Sequence, residues 1–120
     1  MEANGSLRTL EMPRWVVAGP LAVSADGSQA RLEEHELPLT QAQRLVLLVL
    51  LSSGGRIARR SEIYDRAFGR SLQDGSRAVD THVARIRRVL GDTGRCIVTV
   101  GRVGYRLDLE VLANAQRSEL

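Results

Sequence analysis

Four arginines and a histidine stand within Arg77–Arg88 (RAVDTHVARIRR), and Asp80 is the one acid among them. A guanidinium is a flat, permanently charged fork of donors that can grip a phosphate or the acceptor edge of guanine with two hydrogen bonds. Spacing decides whether such groups act together. At about 100° per residue, Arg77, Thr81, Ala84, Arg85 and Arg88 share one side of a helix over Ser76–Leu90, opposite Val79, Val83, Ile86 and Leu90. Two of the outward residues are small, so the basic face can approach a partner closely. Such a face suits the major groove of DNA. A merely solvated helix would carry more acids to balance its arginines than this stretch does.

Charge along the rest of the chain points the same way. The 120 residues carry a formal net charge of +3, with all 17 basic side chains arginine. Residues 77–106 hold seven of those arginines against two aspartates, whereas Asp26, Glu33, Glu34 and Glu36 gather near the front. Basic charge concentrated on one segment is the footprint of a polyanion partner.

Other chemistries find little support. No glycine-rich phosphate loop, metal-ligand cluster or Ser/Cys-His arrangement at usable spacing is present, so no enzyme, metal or cofactor is expected. His35 lies among glutamates without a second ligand nearby. Cys96 is the only cysteine, which rules out an intrachain disulfide, and it reads as a small buried hydrophobe. No signal-peptide core is seen, and the longest apolar run, Leu45–Leu51, is far short of the ~20 residues that span a bilayer. A cytoplasmic location is expected.

The arginine helix needs a scaffold, and the pattern supplies an α+β one. Length fits a single domain, and with only 3% aromatic residues its core must come from Leu, Val, Ile and Ala. Residues 1–14 lack periodicity and read as an arm. Short extended segments follow over 15–23, 29–32 and 34–37, broken by turn signals at Gly19-Pro20 and Asp26-Gly27, and imply a small antiparallel sheet. Thr40 and Gln43 form a capping-box pattern ahead of an apolar helix that Gly54-Gly55 ends. A shorter helix over 60–67 precedes a polar loop at 70–75 and the Ser76 helix. Ile97–Val100, a turn at 101–104 and Tyr105–Leu109 make a hairpin with Arg102 at its tip. The domain is thus expected over 15–112, with 113–120 a frayed polar tail. Asp80, near a helix start, complements the helix dipole and can pair with Arg77 or Arg87.

Strands, three helices and a hairpin, in that order, are the layout of a winged helix-turn-helix. The chain resembles the DNA-binding effector domain of OmpR/PhoB-type response regulators, over roughly residues 15–112 and without a receiver domain. The resemblance is carried by Leu39-Thr40, by Arg77-Ala78-Val79-Asp80-Thr81-His82-Val83 with Arg85-Ile86-Arg87, and by Thr99-Val100 with Gly104-Tyr105-Arg106-Leu107. It implies that helix 76–90 enters the major groove and wing 100–105 the minor groove of duplex DNA. Arg77, Thr81, His82, Arg85 and Arg87 or Arg88 would then meet bases or phosphates. Thr99 and Tyr105 would touch the backbone, and Arg102 would reach into the minor groove. Within that frame Arg85 is the best-placed reader of guanine, Thr81 can meet a thymine methyl, and Arg77, Arg87 and Arg88 suit phosphates. His82, at the edge of the apolar stripe, fits a structural or a contact role, and the resemblance favours contact.

Departures from the family pattern bear on the target. The wing Arg-Gly is reversed as Gly101-Arg102, Ala84 replaces a polar or basic residue, and Phe68 replaces a tryptophan. Arg59 takes the usual serine cap, leaving Ser61 to cap a slightly later start. About 14 residues precede the sheet where a receiver would stand, so either an excised domain or a regulator with another control is open. The alternative function is a winged helix that binds protein, with loop 70–75 engaging RNA polymerase or another regulator. Removing Arg85 and Arg102 would abolish a DNA function and spare a protein-only one. A single module of this kind buries only ~600–1,000 Å² on DNA, so two copies on repeated half-sites are expected.

Overall fold

The apolar stripe read from the sequence is the floor of the core. In the computed structural model, which describes residues 14–69 and 75–117, Val79, Val83 and Ile86 are wholly buried and Leu90 nearly so. Residues 1–13 of the arm expected over 1–14, and residues 70–74 of the loop expected over 70–75, lie outside the described residues.

Four short antiparallel strands come first: β1 (Trp15–Ala18), β2 (Leu21–Ser24), β3 (Ala30–Leu32) and β4 (His35–Glu36), in spatial order β1-β2-β3-β4. Trp15 faces Ser24, Leu21 faces Leu32, and Arg31 faces Glu36 across the ladders. Leu21 and Val23 point inward and are fully buried. The turn after β2 is built on Asp26, whose carboxylate accepts from the Ser28 hydroxyl (2.7 Å), the Ser28 amide (3.0 Å) and the Ser24 hydroxyl (2.8 Å). Led by the Ser28 bonds, these hold its pKa down at about 2.

Helix α1 (Gln41–Ser52) starts as its sequence dictates. The Thr40 hydroxyl accepts from the Gln43 amide (3.2 Å), while the Gln43 side-chain oxygen accepts from the Thr40 amide (3.0 Å). Val46, Leu47, Val49, Leu50 and Leu51 are buried, so this helix is the hub on which both sheets and the next two helices pack. Arg44 ties it to the first sheet by donating to the Gly27 (2.7 Å) and Leu39 (2.5 Å) carbonyls.

Helix α2 (Arg60–Phe68) buries Ile63 and Tyr64. Ser61 does not cap it. The helix begins two residues earlier than a Ser61 cap would allow, with Arg59 at the cap, and Glu62 reaches back to accept from the Arg59 amide at 3.3 Å. Helix α3 (Gly75–Leu90) carries the arginine face, and a single 3₁₀ segment, Gly91–Cys96, leads from it into the wing.

The wing is a three-stranded sheet of spatial order β5-β7-β6, made by β5 (Ala58–Arg59), β6 (Ile97–Val100) and β7 (Gly104–Leu107). Ala58 pairs with Tyr105 and Arg59 with Gly104, which anchors the hairpin to the start of α2. Only glycine fits at 104, because a Cβ there would overlap the Ala58 carbonyl.

Of the frayed tail expected over 113–120, residues 113–117 are helical instead, and 118–120 lie outside the described residues. Residues Leu109–Arg117 form a helix, α4, and Asp108 accepts from the Glu110 amide (3.0 Å) at its start. Leu112 is 1% exposed and holds α4 against the first sheet. That contact depends on Gly19, where a Cβ would come within 2.7 Å of the Leu112 carbonyl oxygen and the backbone is left-handed (φ +58°). The strand expected to run through Leu109 therefore stops at Leu107.

Candidate nucleic-acid interface

With its apolar stripe buried, α3 must turn the opposite side outward. Arg77, Thr81, Ala84, Arg85 and Arg88 are all exposed. Asp80, Thr81, Ala84, Arg85 and Arg88 line a shallow concavity, its floor kept low by the two small residues. The Thr81 hydroxyl donates to the Arg77 carbonyl one turn back (3.1 Å), and the residue is exposed.

A second groove opens between the start of α2 and the wing tip, lined by Arg59, Arg60, Ser61, Arg102 and Val103. Arg102 is exposed at the tip, next to Val103, an apolar side chain 48% exposed. Arg59 belongs to this surface and was not legible as a site residue. Its place depends on β5, a strand of two residues, too short to show alternation.

Between the two grooves lies a network of side chains that face each other. Asp80 does not pair with Arg77 or Arg87. Its Oδ1 accepts from the Tyr105 hydroxyl (2.5 Å) and from Nε of Arg60 (2.7 Å), groups distant in sequence. The Tyr105 ring lies beneath the guanidiniums of Arg60 (4.9 Å) and Arg87 (5.6 Å). Arg87 donates to the Ile97 carbonyl (2.6 and 3.1 Å) and to the Thr99 hydroxyl (2.8 Å). Partial burial works against the Asp80 anion, but the Tyr105 and Arg60 hydrogen bonds prevail and hold its pKa below the usual carboxylate range. The Arg60 pKa moves up, chiefly through its bond to Asp80. Burial, with Asp80 adding to it, pushes the Tyr105 phenol up.

The nine residues expected at DNA therefore divide. Arg77, Thr81, Arg85, Arg88 and Arg102 stand on open surface, and the Thr99 side chain is exposed although Arg87 holds its hydroxyl. Arg87, half-buried, and Tyr105, only 4% exposed, are engaged by partners within the protein. His82 is partly buried, its ring tilted on Phe68 at 5.9 Å between centroids. Its Nδ1 is enclosed, with no hydrogen-bond partner among the described residues. Burial, then the nearby Arg85 charge, lowers its pKa, so the ring is neutral at pH 7.

Elsewhere the surface offers less. Cys96 is fully buried and its thiol is pushed up to about 11 by burial, which removes it from thiolate chemistry. Among the described residues no group of His, Cys, Asp and Glu could hold a metal ion, and no helix is long and apolar enough to cross a membrane.

A three-helix core, a basic helix turned outward and an arginine-tipped hairpin beside it define a winged-helix domain. Residues 34–107 match the family described as transcriptional regulatory protein, C terminal, and the chain belongs to this family of OmpR/PhoB-type domains. It is 32% identical over 89 residues to the transcriptional regulatory protein CseB of Streptomyces coelicolor, covering 74% of this chain and 37% of that protein. It is 29% identical over 92 residues to the phosphate regulon transcriptional regulatory protein PhoB of Rhizobium meliloti, covering 75% and 40%. The chain thus spans about two-fifths of the length of these relatives. Among solved structures, the DNA-binding domain of Klebsiella pneumoniae RstA in complex with the RstA box superposes with a TM-score of 0.67 at 23% identity, over 80% of this chain and 98% of that one. The DNA-binding domain of CpxR from E. coli gives 0.67 at 22% identity, over 78% and 95%. The fold is the same in both.

Proposed function

We propose that this chain binds duplex DNA sequence-specifically as a transcription regulator, with α3 in the major groove and the wing at the minor groove. The observation that carries the reading is the exposed Arg77, Arg85 and Arg88 face, kept low by Thr81 and Ala84 and flanked by Arg102 on the wing. Solution of the RstA domain on its own DNA box supports it by analogy of fold. In this reading Arg85 pairs with guanine, Thr81 packs on a thymine methyl, and Arg77 and Arg88 hold phosphates. Arg102 enters the minor groove, with Arg59 and Thr99 beside it. A neutral His82 contributes at most a hydrogen bond. Arg87 and Tyr105 act from behind the surface.

Two copies on repeated half-sites supply the affinity that one small module lacks. Work on DNA places the protein in the cytoplasm of a bacterial cell and asks for no cofactor and no catalysis. Contact with RNA polymerase through loop 70–75 rests on the family resemblance alone.

Selection of bound duplexes from a random library at physiological salt tests the reading. Enrichment of a repeated motif is expected and yields the half-site spacing. Recovery of unenriched DNA, with affinity collapsing as salt rises, would overturn sequence specificity and leave contact to the backbone only.

A further inference from the structure

The two basic grooves share a border, and its residues are Asp80 of the α3 concavity and Arg60 of the groove under the wing. These two are joined directly, Nε to Oδ1, and Tyr105 of the wing donates to that same oxygen. Three elements meet at one carboxylate oxygen: the start of α2, the middle of α3 and strand β7. Arg87 closes the other side, reaching from α3 past the Tyr105 ring to Ile97 and Thr99 of β6. Ile97 and Leu107 seat the base of the wing in the core, while nearer its tip the ties are the β5 pairing and the Arg60 amide, which donates to the Val103 carbonyl at 3.3 Å.

Resting on the DNA-binding reading, we propose that Asp80 and Tyr105 are positioning residues that lock the wing to α3, so that major-groove and minor-groove contacts read one composite site. Neither is a natural partner for DNA, although Asp80 borders the α3 concavity. Tyr105 is buried, and the Asp80 carboxylate would repel a phosphate if its charge were not spent on Arg60. Their effect is on where Arg102 falls relative to Arg85. A wing held at one angle penalises wrong base pairs under it; a wing free to swing tolerates them.

Two variants separate this role from general stability. Tyr105→Phe keeps the ring against the two guanidiniums and removes only the hydroxyl. Asp80→Ala removes the shared acceptor, and Asp80→Asn keeps an oxygen for both donors while dropping the charge. The first readout needs no DNA: hydrogen exchange at the Val103 and Arg60 amides, with the Val83 and Ile86 amides as the core reference. Tyr105→Phe and Asp80→Ala should speed the wing amides about tenfold and leave the core amides alone, while Asp80→Asn stays near the parent. The second is the penalty for single base-pair changes across the selected motif. The two disruptive variants should lower the roughly tenfold penalties under the wing and keep those under α3.

Unchanged wing exchange would overturn the lock. So would exchange rising equally in wing and core, or an even loss of affinity at every base pair, since either describes a merely structural role. A parent protein that enriches no motif would overturn the DNA reading and this proposal with it. That failure is seen before any variant is made.

Discussion

Arg87 and Arg88 are neighbours on one helix with opposite fates. The guanidinium of Arg87 turns under the wing, donating to Ile97 and Thr99 and lying against Tyr105. Arg88, one residue and about 100° further round, stands on open surface beside Arg85. The residue type is the same, so what lies within reach decides the role. A guanidinium near an unpaired carbonyl becomes part of the scaffold, because leaving that acceptor unsatisfied costs more than bending the arginine inward. One with no acceptor nearby stays hydrated and is available to a polyanion. The first kind should register in stability and the second in binding.

The largest effect comes from removing the floor that both kinds share. Ile86 is wholly buried beneath α3, and Ile86→Ala should cost about 2–5 kcal/mol in urea unfolding. Inward and outward arginines would then lose their function together. A loss below 1 kcal/mol would mean that α3 is not seated on this core.

Next come the substitutions that pull the two kinds apart. Arg85→Ala should cost about 1–3 kcal/mol in binding to the selected motif, relax one base pair, and leave the urea midpoint unmoved. Arg87→Ala should do the reverse first, costing about 1–2 kcal/mol of stability through the unpaired, part-buried Ile97 carbonyl. If Arg85→Ala destabilised the fold as much as Arg87→Ala did, the division would collapse.

Arg88→Ala sharpens the comparison within the outward set. A phosphate anchor positions without reading, so every sequence should weaken alike and the salt slope should fall by about 1. Loss confined to one site would instead make Arg88 a base reader.

The sequence was most legible where a signal is local. The α3 stripe, the Thr40–Gln43 capping box and the hairpin each lie within one element and its own period. What escaped depends on partners far along the chain. Asp80 meets Arg60, 20 residues away, and Tyr105, 25 residues away, and no periodicity reports that meeting. Strand β5 has two residues and is specified by the close approach of Gly104. Helix α4 is betrayed only by Leu112, whose backbone comes close to a glycine near the opposite end of the chain. For the site, the same rule held: its open face could be read from spacing, whereas its supports and the Arg59 edge could not.

His82 sits on the boundary between the two kinds, and its titration gives the smallest effect. In the folded chain its pKa is depressed by burial and by Arg85. The unfolded chain should titrate near the ordinary value of about 6.5. As pH falls, the unfolded state therefore takes up the proton first. The stability that neutral His82 contributes is complete above that value and is lost as pH drops toward the folded pKa. Asp26 and Asp80 do not blur this window, since carboxylates with lowered folded pKa values lose their contribution only as pH falls below about 5. Urea midpoints measured from pH 7.5 to 5 should fall for the parent and fall less for His82→Leu, which keeps an apolar contact with Phe68. Binding offers the opposite sign. Were His82 to grip a phosphate, the complex would favour the imidazolium, and DNA affinity would rise as pH fell with uptake of one proton. A neutral ring packed on Phe68 predicts no such uptake, and finding it would move His82 to the outward set.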